Sequence, residues 1–155
     1  MVFKFGTASI SGVKLGSASI EKAYLGSTLV LGTDASLTIA KISDGSSSFA
    51  IEVVFSLTTL PAGTTQLKYT ISGTGSTSTV VTIPTSTSSS TVHNGTGGSG
   101  SFRSKYNSST NRGSFFHGPG DGVTNISLTV EALNSGGATL ATSNTLTGMV
   151  IDEDG

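Results

Sequence analysis

Every second position from Phe49 to Leu57 is apolar: Phe49, Ile51, Val53, Phe55 and Leu57, with Ala50, Glu52, Val54 and Ser56 between them. Leu67, Tyr69 and Ile71 alternate in the same way with Gln66, Lys68, Thr70 and Ser72. Further along, Ile126, Leu128, Val130 and Ala132 alternate with Ser127, Thr129 and Glu131. A period of two with one polar face is the pattern of an antiparallel strand buried on one side. Three principal strands are therefore expected to share one core, with shorter strands at 37–42, 79–83, 140–146 and 149–151. The connectors have turn chemistry. Asp44-Gly45 and Asn134-Ser135-Gly136-Gly137 are two of them, and Leu60-Pro61-Ala62-Gly63 suits a type I turn with Pro second and Gly fourth.

Before Asp34 the pattern changes to a repeat with a step of ten. Phe5-Gly6-Thr7-Ala8-Ser9-Ile10 is followed by Leu15-Gly16-Ser17-Ala18-Ser19-Ile20 and Leu25-Gly26-Ser27-Thr28-Leu29-Val30. Gly at 6, 16 and 26 can supply the positive φ of a turn. The pieces between are strand-like and very short, so the segment forms a small meander that cannot bury its apolar side alone. Gly32-Thr33-Asp34 reads as a joint. The expected architecture is all-β: a small β-repeat element for anchoring or assembly at 1–33, then a sandwich of immunoglobulin type at 34–155. Six or seven strands in about 120 residues fit that second part.

One stretch does not fit the alternation. Residues 84–122 are too long for an ordinary connection and read as an inserted loop. Thr85 to Ser101 is almost wholly Ser, Thr and Gly. In 102–117 the composition turns aromatic and basic, with Phe102, Arg103, Lys105, Tyr106, Arg112, Phe115, Phe116 and His117. Such a loop either packs on its own aromatics or anchors an interface, the setting in which aromatics and Arg are enriched. The interface reading takes Phe102, Arg103, Lys105, Tyr106, Arg112, Phe115 and Phe116 as contact residues. In the repeat element, Ile10, Leu15, Ile20, Tyr24, Leu25 and Val30 are the expected apolar contacts with neighbouring subunits or a larger shell.

Composition narrows the function classes. Ser and Thr make up about a third of the chain, Gly adds 21 residues, and the net charge is −1. A near-neutral chain lacks the basic footprint of a nucleic-acid binder. No apolar run approaches the roughly 20 residues that span a bilayer, and the first residues break into Gly and Ser before a signal-peptide core could form. The absence of Cys excludes disulfides, thiolate metal sites and Cys nucleophiles.

Candidate chemistry is thin. Gly95-Thr96-Gly97-Gly98-Ser99-Gly100 matches a phosphate-loop pattern literally but lacks a following helix. His93 and His117 are the two histidines. With Asp121 near the second of them, they still fall short of a metal-ligand set. No nucleophile elbow surrounds any Ser. Glu52 and Glu131 lie on polar strand faces, and Asp152-Glu153-Asp154 reads as a solvated acidic run. The Asn-x-Ser/Thr triplets at 94, 107 and 125 follow from Ser and Thr abundance. No catalytic residue, cofactor or metal is expected.

The run from Val13 to Val30, with its Leu-Gly-Ser-x-x-Ile-x-Lys-x-Tyr-Leu-Gly-Ser-x-x-Val core, resembles repeats at the N-termini of bacteriophage virion proteins of tail, fibre and head surface. The resemblance covers about a fifth of the chain and implies a short β-rich attachment element followed by an exposed domain. The second part, best at Ile126 to Gly137, resembles the immunoglobulin-like and fibronectin type III-like modules that phages display. It departs from them in having no Trp and in placing Ile126 where a tyrosine corner would sit. The resemblance implies a non-enzymatic virion structural protein assembled in the host cytoplasm, first of all a capsid decoration or cement protein. A tail, fibre or baseplate component is the alternative within that class, and a cell-surface or carbohydrate-binding module is the alternative outside it. Expected partners are other virion proteins of capsid or tail and further copies of the chain. On the last alternative a host-surface glycan joins them, and neither nucleic acid nor membrane is expected.

Overall fold

The computed structural model describes residues 36–45, 52–74, 78–96, 102–117 and 123–151, together with the backbone of four short strands before residue 32. The chain divides into two compact units, Met1–Asp34 and Ala35–Gly155. In the first unit, β1 (Val13–Leu15) pairs with β2 (Ala18–Ile20), and β3 (Ala23–Leu25) pairs with β4 (Thr28–Leu31). The register joins Leu15 to Ala18 and Leu25 to Thr28, so each of these Leu-Gly-Ser steps falls between two partnered strands. Ile10 lies outside the described residues. Leu15, Ile20, Tyr24, Leu25 and Val30 are placed in strands, and their side chains lie outside the description.

The second unit is a sandwich of two antiparallel sheets, and no helix occurs among the described residues. The first sheet runs β5 (Ile39–Ser43), β6 (Glu52–Leu57), β11 (Arg112–Phe116), β10 (Arg103–Asn107) and β9 (His93–Asn94). In the second, β12 (Val123–Leu133) lies beside β7 (Gln66–Ser72), which pairs with β8 (Thr79–Pro84). The far edge of β12 is shared by β13 (Thr139–Thr142) and β14 (Leu146–Ile151). With β5 lettered A, β9 left as an extra edge strand beyond D, and β13 and β14 together taking the place of G, the sheets read A-B-E-D and G-F-C-C′, the strand order of an immunoglobulin-type sandwich.

The predicted alternation holds wherever it can be followed. Val53, Phe55 and Leu57 of β6, Leu67, Tyr69 and Ile71 of β7, and Ile126, Leu128, Val130 and Ala132 of β12 all face the core. Phe49 and Ile51 lie outside the described residues. Tyr69, on the C strand where an antibody domain carries its buried Trp, is fully buried and meets the Phe55 ring edge-on at 5.3 Å. Its neighbour in the facing sheet is Gly113, where a Cβ would come within 2.3 Å of Phe55 and 2.5 Å of the Tyr69 hydroxyl. Glycine here makes room for two rings.

Two local features differ from the sequence reading: the turn after Leu60, and the strand expected at 140–146, which breaks at 143–145 between β13 and β14. The turn after Leu60 starts at Pro61, since the Thr64 amide donates to the Pro61 carbonyl. Gly63 is then its third residue, with φ +83°, the glycine position of a type II turn. Asp44-Gly45 opens the connection between the antiparallel neighbours β5 and β6, as a connector should. Gly45 forms a parallel bridge to Ile151, so the edge strand β5 leaves the first sheet to meet the second. Asn144 covers the other end of β5: its side-chain amide donates to the Ile39 carbonyl and accepts from the Ile39 amide, as a neighbouring strand would.

Burial of Tyr69 sets an alkaline limit on stability. Desolvation by burial, reinforced by Tyr106, pushes the Tyr69 hydroxyl well above its ordinary value of 10.0. In the unfolded chain this phenol ionises near pH 10, while in the folded chain it stays protonated, so the unfolded state gains as pH rises above 10. Stability should therefore be level below pH 10 and fall above it by about 1.4 kcal/mol per pH unit for this group. Urea melts between pH 8 and 11 would show the slope. Tyr106 is also raised by burial and adds to it. Tyr69→Phe should shallow the decline, and an unchanged slope would mean that Tyr69 ionises freely in the fold.

Candidate interaction face

The stretch expected as an inserted loop contains strands. β9, β10 and β11 lie within 84–122, and β11 is the central strand of its sheet, paired with β6 on one side and β10 on the other. The loop assignment is corrected for a definite reason. Phe102-Arg103-Ser104-Lys105-Tyr106 and Arg112-Gly113-Ser114-Phe115-Phe116 do alternate in period two, but Ser104 and Gly113 occupy inward positions where apolar residues were sought. Residues 97–101 and 118–122 lie outside the described residues.

This alternation sorts the seven aromatic and basic residues into two groups. Phe102, Tyr106 and Phe115 are buried in the sandwich core, and Phe102 meets the Phe115 ring edge-on at 6.0 Å. They are core residues of their own domain, which removes them from the expected interface set. The Tyr106 hydroxyl donates to Asn111 Oδ1, and Asn111 Nδ2 donates to the carbonyls of Leu57 and Thr58. That side chain ties the β10–β11 hairpin to the end of β6, and Asn111 tolerates the left-handed backbone (φ 50°) it needs to do so.

Arg103, Lys105, Arg112 and Phe116 come together on the outer face of the first sheet. The cross-strand register sets them in rows: Glu52, Phe116 and Arg103 across β6, β11 and β10, then Val54, Ser114 and Lys105, then Ser56, Arg112 and Asn107. The Arg103 guanidinium lies 4.7 Å from the centre of the Phe116 ring and the Lys105 ammonium 5.3 Å from it. Each such contact is worth about 0.5–1 kcal/mol at an exposed site. Ser114 Oγ donates to Glu52 Oε1, and the Lys105 ammonium lies 3.5 Å from the same oxygen. Next to these groups opens a cleft of about 320 Å³ whose lining includes Glu52, Lys105, Asn107, Arg112 and Ser114, with Ser89 and Thr110 also on it.

The opposite sheet is electrically quiet. Its Lys68 and Glu131 pair at 2.6 Å, and that hydrogen bond holds the Glu131 carboxyl below its usual value of 4.5. Among the described residues no cluster of three potential metal ligands occurs, and no helix is long and apolar enough to cross a membrane. His93 Nε2 and His117 Nδ1 are buried without a hydrogen-bond partner among the described residues. Thr96 of the glycine-rich stretch exchanges backbone hydrogen bonds with Val80, a strand-edge contact, and residues 97–100 of that stretch lie outside the described residues. The arrangement offers cations, hydroxyls and one flanked aromatic ring to a polar partner. The chain matches no protein-family model, no curated protein and no solved structure.

Proposed function

We propose that the chain is a non-enzymatic bacteriophage virion structural protein that decorates the capsid, attached through residues 1–34 and displaying the sandwich. The observation that carries this reading is the division of the chain into two unequal units. Strands of three or four residues, paired two by two, are marginal by themselves. The sandwich has a continuous core of its own. An element that needs a neighbour joined to a module that needs none is the division of labour of an anchored display domain. Its likeness to phage head and tail repeats points to the particle as that neighbour. Tail, fibre or baseplate attachment would use the same architecture, and labelled particles imaged by electron microscopy separate these locations. A carbohydrate-binding module usually offers an open aromatic ring to stack on a sugar, whereas Phe116 is flanked by Arg103 and Lys105.

A chain beginning at Ala35 should melt within a few degrees of the full-length protein and be lost from purified particles. Full retention on the particle would overturn the assignment of the first unit as the anchor.

A further inference from the structure

The cleft on the outer face of the first sheet holds about 320 Å³, near the lower end of the range for small-molecule sites. Three parts of the chain build it. The sheet supplies Glu52, Ser114, Lys105 and Arg112. The β10–β11 turn supplies Asn107 and Thr110, and Ser89 enters from the turn closed by the Thr91 amide on the Ser88 carbonyl. No aromatic ring lines it, so recognition there rests on hydrogen bonds and charge. The Asn107 carbonyl oxygen accepts from the Ser109 amide, the Ser109 hydroxyl and the Thr110 amide. Those bonds fix the side chain and leave its Nδ2 as the donor. Glu52 Oε1 accepts from Ser114 and lies 3.5 Å from the Lys105 ammonium, which leaves Oε2 as an acceptor. The Arg112 guanidinium forms no ion pair with any described residue.

We infer that this cleft binds a carboxylated sugar of the uronate kind. Such a ligand brings a carboxylate for the planar, bidentate fork of Arg112, and hydroxyls that donate to Glu52 and accept from Asn107. The competing classes each leave one of these groups unmatched. Sulfate would pair with Arg112 but has no donor to offer Glu52. A neutral sugar leaves Arg112 without a counter-charge. An acidic peptide run, the chain's own Asp152-Glu153-Asp154 included, brings carboxylates without hydroxyls and meets Glu52 with like charge. Glu52 therefore selects for hydroxyls, as Arg112 selects for the carboxylate. So open a cleft binds a single ligand weakly, and copies displayed together on a surface multiply the effect. The site needs only the sandwich, so it goes beyond the anchoring role of residues 1–34.

Amide chemical shifts of the isotope-labelled full-length chain, titrated with sodium glucuronate at constant ionic strength, test it. Glucuronate should give saturable shifts at Glu52, Ser89 and 105–114. Glucose, acetate and sulfate should each bind at least about tenfold more weakly. Arg112→Gln should weaken glucuronate about tenfold with circular dichroism unchanged. D152N/E153Q/D154N should leave the affinity as it is. A gain in that variant would make the chain's own acidic run the occupant and overturn the proposal. So would the absence of saturable shifts, sulfate binding as tight as glucuronate, or full affinity in Arg112→Gln. A glucuronate-containing oligosaccharide distinguishes the sources of this chemistry: tighter binding than the monosaccharide assigns the ligand to a polysaccharide, and weaker binding to the free acid. Retention of the Ala35 truncation on the particle would leave this result untouched, so the two ideas fail separately.

Discussion

Phe115→Ala should lower the unfolding free energy by about 3–5 kcal/mol, while Phe116→Ala, one residue further along the same strand, should cost about 1 kcal/mol or less. Phe115 is fully buried between Phe55 and Phe102, with ring centres 6.3 and 6.0 Å away, so truncation leaves a cavity that β11 cannot close. Phe116 is half-buried on the outer face, and its loss removes two cation contacts there. Equilibrium urea unfolding of both variants measures the difference. Equal and small effects would return Phe115 to a surface role.

Leu128→Asp should abolish cooperative folding, and Thr129→Asp should be tolerated at a cost of about 1 kcal/mol. Leu128 is fully buried in the strand paired on both edges, and it faces the core beside Val130 and Ile126. An aspartate there would be a charge without a partner in an apolar core, among the most destabilising single changes known. Thr129 lies on the outer face, where its hydroxyl meets that of Thr145 at 3.1 Å, and the cost is a lost surface hydrogen bond and a poorer strand former. A cooperatively melting Leu128→Asp protein would show that the faces of β12 had been exchanged, since a slip of one residue reverses every side chain.

These pairs of neighbours also show where the fold could be read from the chain. Val53, Leu67 and Leu128 stand in unbroken alternation, and an unbroken period of two carries its own face assignment. In 102–117 the same period is present but hidden, because two inward positions are occupied by Ser104 and Gly113. Gly113 is inward and small for a reason visible only in three dimensions: Tyr69, 44 positions earlier, fills its space from the other sheet. Sequence pattern records the burial of a residue through its own side chain, and it cannot register a site vacated for a distant ring. The candidate face was half legible for the same reason. Its residue types drew attention, but separating Arg103, Lys105, Arg112 and Phe116 from Phe102, Tyr106 and Phe115 needed the strand register. Gly45 and Asn144 were out of reach altogether, since each acts by pairing with a residue about a hundred positions away.

The account rests on β10 and β11 being interior strands of a self-sufficient sandwich, and native-state hydrogen exchange of the isolated full-length chain tests this most directly. The prediction is that the hydrogen-bonded amides of 112–116, paired on both sides, exchange only through global unfolding, with protection equal to that of β7 and β12. Exchange of 103–107 and 112–116 at loop rates in the isolated chain, with protection gained only on assembly, would contradict it.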